Sequence, residues 1–260
     1  MLQIVLALVA ALLPPALLFF YIHHQDSQQP EPPKWLWKGV LHGVYSAILV
    51  LTVFYIIPIQ ELFADLGESF LGGVCDAFFC AAIPEEAAKL YFLHRLLRRN
   101  PYFDEHLDGI VYATCVGLGF AGFENVLYVV DNMDELATVA LMRAIFSIPG
   151  HFFFAVFMGY YISKAHFSSP TLSERSRNYL LAFLVPMLIH GIFDALLMTT
   201  SSVSDFVSGI LVLIFIWFNI KLNKAGRRRI AAMKEEDQQE LQKLQEQQEQ
   251  QEQQEPYGTL

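Results

Sequence analysis

Hydrophobic and polar positions alternate along this chain in blocks rather than residue by residue. Seven long apolar runs can be drawn, at about residues 2–22, 39–59, 70–96, 109–130, 137–163, 179–200 and 206–223. Most lie near the ~20 residues that an α-helix needs to cross ~30 Å of hydrocarbon. A membrane β-barrel would alternate apolar and polar residues instead. The pattern therefore predicts an all-α polytopic transmembrane helix bundle of about seven spans. The third and fifth runs exceed the minimum length, which predicts tilt or helical extension beyond the lipid.

Short polar segments separate the runs, among them "QDSQQPEPPK", "QELFADLGES", "LRRNPYFDEH", "DNMDE" and "KAHFSSPTLSERSRN", and none is long enough to form a domain. Their charge alternates. Lys34 and Lys38, then Arg95, Arg98 and Arg99, then Lys164, Arg175 and Arg177, and finally "KLNKAGRRR" fall on one side. Glu61, Asp65 and Glu68, then Asp131, Asp134 and Glu135, then Asp205 fall on the other. The positive-inside rule makes the first set cytoplasmic, with the N-terminus outside and the C-terminus inside. The expected division is a membrane domain over 1–230, with a core at 70–200 that holds the polar motifs, and a Glu/Gln-rich tail over 231–260. Such a tail is expected to be disordered or partly helical.

Composition agrees with this picture: 54% of the 260 residues are hydrophobic and 17% charged, the balance of an integral membrane protein. The net charge of −9 owes much to the acidic tail and implies no nucleic-acid partner. Cys75, Cys80 and Cys115 lie in apolar runs without CxxC spacing and read as small buried hydrophobes. The first run lacks a basic leader and is too long for a secretion signal, so it reads as a retained span.

Ionisable groups inside the runs change the picture further. The third run carries Glu85, Glu86 and Lys89, the fourth Glu124 with Asn125, the fifth Arg143 and His151, and the sixth His190 and Asp194. Each charge near a bilayer centre costs roughly 2.5–3.5 kcal/mol on insertion scales, so these side chains must face the protein interior. Helical spacing lets Lys89 reach either Glu85 or Glu86 and sets His190 one turn from Asp194. At ~1.5 Å per residue, Glu85 and His190 fall ~15 Å from the cytoplasmic edge, Glu124, Asp194 and Arg143 ~20 Å, and His151 at ~8–10 Å. Such a cluster suits a hydrolytic site, where an ionised glutamate takes a proton from water while His and Asn donors stabilise an oxyanion. It also suits a proton-coupled transporter or channel with a Glu/His/Asp relay, although no internal repeat of helices is visible. Alternatively, His with Glu or Asp could hold a zinc ion that activates the water, the candidate ligands being Glu85, Glu86, Glu124, His151, His190 and Asp194.

The order and form of these motifs carry a resemblance. Glu85-Glu86-Ala-Ala-Lys89 fits EExxK, Phe120 to Glu124 followed by Asn125 fits FxxxE-N, Arg143 to His151 fits R-x7-H, and His190 to Asp194 fits HxxxD. On consecutive helices they resemble the PrsW intramembrane proteases, and more distantly the CAAX prenyl endopeptidase and Abi group. The resemblance implies a prokaryotic multi-pass inner-membrane endopeptidase that cuts a membrane-tethered protein of the anti-sigma-factor kind. It implies Glu85 as general base with Glu86 in support or exchanging roles with it, His190 as oxyanion donor or positioning base, Asn125 as a further donor, and Lys89 and Arg143 as the cations that hold the carboxylates. Glu124 stands where the prenyl endopeptidases have histidine, and Asp194 where many have asparagine, so prenylated substrates are not implied. With no HExxH in the chain, the favoured expectation is a glutamate mechanism without a cofactor, with zinc as the alternative.

Other polar residues are given structural roles. His23, His24, His94, His106 and His166 lie near span ends, and the Phe-rich segment after His151 reads as lipid-facing and packing surface. "GLGFAG" at 117–122 suits close helix approach. His42 lacks a partner on its own helix, as does Asp76, which remains a candidate neighbour of the site.

Overall fold

The computed structural model describes residues 2–27 and 29–254. Among these residues it is helical throughout, with no strand. Helices α1 (Leu2–Gln25), α2 (Pro33–Ile56), α3 (Phe70–Cys75), α4 (Ile83–Leu97), α5 (His106–Asp131), α6 (Leu136–Met142), α7 (Ile148–Phe167), α8 (Leu172–Met198) and α9 (Asp205–Gln254) follow in order. Six helical stretches are long and apolar enough to cross a membrane. The seventh expected crossing is the run from α3 to α4, whose charges Asp76, Glu85, Glu86 and Lys89 interrupt its apolar character.

Several helices are longer than the apolar runs that announce them, because their ends are polar and capped. Helix α2 starts at Pro33, whose fixed φ and missing N–H suit a first turn. Helix α8 starts behind Thr171, whose hydroxyl accepts from the Glu174 N–H at 3.2 Å while the Glu174 carboxylate accepts from the Thr171 N–H at 3.3 Å. This capping box satisfies two otherwise orphaned donors. Helix α9 runs on past its apolar part to Gln254, and residues 255–260 lie outside the described residues.

Helix α5 is the centre of the bundle. Residues 107–122 are all buried, and the helix packs on α1, α2 and α7. A helix apolar on every face belongs inside a protein or a membrane. Glycine permits the approach of α2. A Cβ on Gly43 would run into the Val116 carbonyl oxygen, and one on Gly119 into that of Val40. These obstacles are backbone and cannot rotate away. Gly43→Ala is therefore expected to cost about 1–3 kcal/mol, the range for overpacking, seen as a lower midpoint in thermal unfolding of the detergent-purified protein.

Helix α7 is also interior, packed against α5, α8 and α9. Phe152, Phe153, Phe154 and Phe157 are accordingly all buried, which corrects the expectation that this segment faces lipid. Residues such as Leu13, Phe20, Leu213 and Ile220 on the peripheral helices expose large apolar side chains instead.

Two π-helical segments break the α-helical runs, Asp76–Ala82 before α4 and Arg143–Ser147 before α7. In each, an amide bonds five residues back, Ile83 to Phe78 and Ile148 to Arg143. Both stand directly before an Ile-Pro pair, Ile83-Pro84 and Ile148-Pro149. A proline inside a helix donates no hydrogen bond and its ring strikes the carbonyl four residues earlier. Widening the preceding turn removes that conflict without ending the helix. The first segment then packs against α8, where the Phe78 ring covers Gly191.

Candidate active site

These elements bring the polar residues of four successive spans to one place. Lys89 on α4 donates to Glu86 Oε1 at 2.8 Å, to Glu85 Oε2 at 3.2 Å and across to His151 Nδ1 on α7 at 3.1 Å. Since Nδ1 accepts from an ammonium, the His151 proton belongs on Nε2. Nε2 lies 3.1 Å from Glu124 Oε2 on α5. The same Glu124 oxygen accepts from Arg143 at 2.6 Å, and the Arg143 Nε donates to Asn125 Oδ1 at 2.6 Å. Arg143 also lies over the Tyr128 ring, 4.0 Å from its centroid.

The expectation that His151 sits shallower than its partners is corrected by these contacts. Helical structure in the fifth span runs from residue 133 to 167, so His151 falls near its middle. The π segment also turns Arg143 onto the same side. Eight α-helical steps overshoot two turns by ~80°, and a π turn that absorbs one residue reduces the offset to about 20°.

His190 on α8 completes the cluster. Its Nδ1 is 2.9 Å from Glu86 Oε1, and its Nε2 is 3.1 Å from Asp194 Oδ2 and 3.9 Å from Glu85 Oε2. Both nitrogens face carboxylates, so both are donors, an arrangement satisfied in full by the imidazolium. Phe154 stacks on the ring at 4.7 Å between centroids and holds its plane.

A cavity of about 1070 Å³ opens onto this cluster. Glu85, Glu124, Arg143, His151, His190 and Asp194 line it, and Phe54, Phe63, Phe123 and Phe193 give it apolar walls. It extends to residues 67–69, 131–132 and 201–202, the connections opposite the basic loops. Glu86, Lys89 and Asn125 are not part of its lining. The two adjacent glutamates therefore differ. Glu86 is fully buried behind the cavity wall, between Lys89 and His190, whereas Glu85 faces the space in which a substrate would lie.

Asn125 is committed elsewhere. Its Nδ2 donates to the Ala11 carbonyl at 2.7 Å and its Oδ1 accepts from Arg143, so it orients Arg143 and ties α1 to the site. Asp76 lines the cavity from the first π segment, without a hydrogen bond to the cluster among the described residues. The π turns are features of the site that residue spacing did not announce, and the two Ile-Pro pairs are their visible signal.

Glu85, Glu86, His151 and His190 each offer a ligand atom within 4.8 Å of the others. The place a metal ion would take among three of them is filled by the Lys89 ammonium. Glu124 is likewise engaged by Arg143. A second positive charge a few ångströms from Lys89 would meet strong repulsion in a buried setting. With Lys89 in this position the donor set does not fit a metal.

Residues 31–220 match the family described as PrsW family intramembrane metalloprotease. The protease PrsW of Oceanobacillus iheyensis is 33% identical over 75% of this chain and 86% of its own length. That of Bacillus subtilis is 32% identical over 78% and 87%. The Clostridioides difficile protein is 36% identical over 65% of this chain and 69% of its own length. No solved structure matches the chain. With its multiple membrane-spanning helices, the chain belongs to the PrsW family of intramembrane proteases.

Proposed function

We propose that this protease hydrolyses a peptide bond of a membrane-anchored protein with a water molecule activated by Glu85, at or beyond the bilayer midplane on the side away from the basic loops. The observation that carries this reading is the different exposure of the paired glutamates. Glu85 alone faces the cavity, and it has Lys89 at one oxygen.

In the first step a water held by Glu85 attacks the scissile carbonyl carbon, and its proton passes to the Glu85 carboxylate. The carbonyl π electrons move to oxygen, where the Nε2–H of His190, turned from Asp194 towards the cavity, stabilises the oxyanion. The proton on Glu85 then passes to the amide nitrogen, the C–N bond breaks, and Glu85 is an anion again. Glu86 fixes Lys89 and His190 from behind. Glu124, pinned by Arg143 and His151, also lines the cavity and orients the substrate backbone. The apolar cavity walls suit a hydrophobic segment, and the resemblance points to a single-span regulator of the anti-sigma-factor kind.

The test is reconstitution in nanodiscs with a single-span substrate tagged at both ends, with the cut mapped by mass spectrometry. New termini in the half of the substrate span opposite the basic loops are expected. A cut confined to the basic-loop side would exclude the proposed access.

A further inference from the structure

At the basic-loop end of the bundle, far from the cavity, carboxylates gather with no counter-charge. Asp26 follows α1, Glu31 precedes α2, Asp104 and Glu105 end the α4–α5 connection, and Asp108 lies in the first turn of α5. Ligand oxygens of Glu31, Asp104 and Asp108 lie within 4.8 Å of one another, and so do those of Asp26, Glu105 and Asp108. Asp108 is common to both groups. Sixteen residues separate it from Glu124 on the same helix, about 24 Å at 1.5 Å per residue.

Asp26, Glu31 and Asp108 are buried, at 2%, 4% and 0% exposure. None of the five carboxylates has an ion-pair partner among the described residues. The neighbouring Lys234 ammonium donates to Gln25 instead, at 3.3 Å. Backbone amides satisfy part of the cluster. Asp108 Oδ2 accepts from the amides of Asp104 at 3.0 Å and Glu105 at 2.7 Å, Asp26 Oδ2 accepts from that of Glu31 at 3.0 Å, and the Tyr112 hydroxyl donates to Glu31. Asp108 Oδ1 remains. It is fully buried and accepts from no donor among the described residues, and the Asp108 and Glu31 carboxyls lie within hydrogen-bonding reach of each other, so a proton or a cation must stand between them at the point the two groups share.

Buried carboxylates without cations are costly unless protons or a metal neutralise them. A cation held among these oxygens would neutralise them.

We propose that Asp26, Glu31, Asp104, Glu105 and Asp108 form a binding site for a hard divalent cation, magnesium or calcium, distinct from the proteolytic site. An all-oxygen donor set from carboxylates is the chemistry of these ions. The ion would clamp the α1–α2 connection to the start of α5, and thus hold the helix that carries Glu124. Calcium accepts six to eight oxygens in irregular geometry, whereas magnesium demands a near-octahedral shell and keeps several waters.

The full chain, purified in nanodiscs and stripped with chelator, would be titrated calorimetrically with calcium chloride and magnesium chloride separately at fixed ionic strength. Thermal unfolding would be recorded in parallel. Saturable binding of one or two equivalents of at least one ion is expected, with a midpoint raised by several degrees. Preference for calcium would assign an irregular protein cage, and preference for magnesium a hydrated one. Asp108→Asn should abolish the binding. Asp104→Asn, at an exposed position whose loss does not threaten the fold, should weaken it at least tenfold. Absence of saturable binding by both ions, or unchanged binding in Asp104→Asn, would overturn the site and leave protons as what neutralises the cluster.

Discussion

Glu85→Gln is expected to lower cleavage of a membrane-anchored substrate by ~10²–10⁴-fold, the usual contribution of a positioned general base, with little change in thermal stability. The side chain keeps its shape and its place on the cavity wall, the proton acceptor is lost, and Glu86 at 2.8 Å still balances the Lys89 charge that Glu85 shared. Glu86→Gln is the informative companion. Its carboxylate lies behind the cavity and bonds both Lys89 and His190, so the amide disturbs two cations at once and should lower stability as well as activity. Purified variants compared by single-turnover cleavage and by thermal unfolding separate the two roles. Equal loss of stability in both would remove the assigned difference between them.

Lys89→Met is expected to produce the largest loss of stability in the protein. One ammonium holds Glu85, Glu86 and His151 at 2.8–3.2 Å and lies 4.0 Å from the centroid of the Phe120 ring. Its side chain is 3% exposed, and those of Glu85 and Glu86 are 10% and 0% exposed. Removing one partner of a buried ion pair leaves an uncompensated charge and typically costs about 3–5 kcal/mol. Here two carboxylates on adjacent residues would be left facing each other. The double variant Lys89→Met with Glu86→Gln should recover part of the loss, because it removes one of the stranded charges. A double-mutant cycle on the unfolding midpoint measures this coupling. Additive losses would mean that the ammonium does not bridge the glutamates in the way described.

The sequence disclosed much of this site because membrane interiors tolerate so few charges. Glu85, Glu86, Lys89, Glu124, Arg143, His151, His190 and Asp194 are conspicuous among apolar neighbours, and helical spacing pairs Lys89 with the two glutamates and His190 with Asp194, whereas Arg143 and His151 are aligned only by the π turn. Pairing between helices was not legible. That Lys89 reaches His151 as well as the glutamates, or that Asn125 is spent on Ala11 and Arg143, depends on bundle geometry that no single-helix periodicity encodes. The different exposure of Glu85 and Glu86 has the same origin, since both are one residue apart on α4 and only the position of α8 decides which is covered.

The helix boundaries show the converse limit. Hydropathy marks where lipid begins and ends, whereas Thr171-Leu-Ser-Glu174 and the Pro32-Pro33 pair mark where helices begin, and the polar ends of α2, α8 and α9 run beyond the apolar windows. The π turns were signalled only by Pro84 and Pro149, each inside a run otherwise read as a continuous helix. The acidic group around Asp108 was dispersed over two connections and a helix start. Only the fold brings those residues together.

We propose that a carboxylate pair steadied by an ammonium, and not a bound metal, performs the hydrolysis. The most direct measurement is the metal content of the purified, reconstituted protein, taken together with its cleavage rate before and after exhaustive treatment with a zinc-selective chelator. No transition metal at stoichiometric levels and an unchanged rate, still abolished by Glu85→Gln, are expected. One equivalent of zinc per chain, lost together with activity and restored with it on readdition, would overturn the glutamate mechanism.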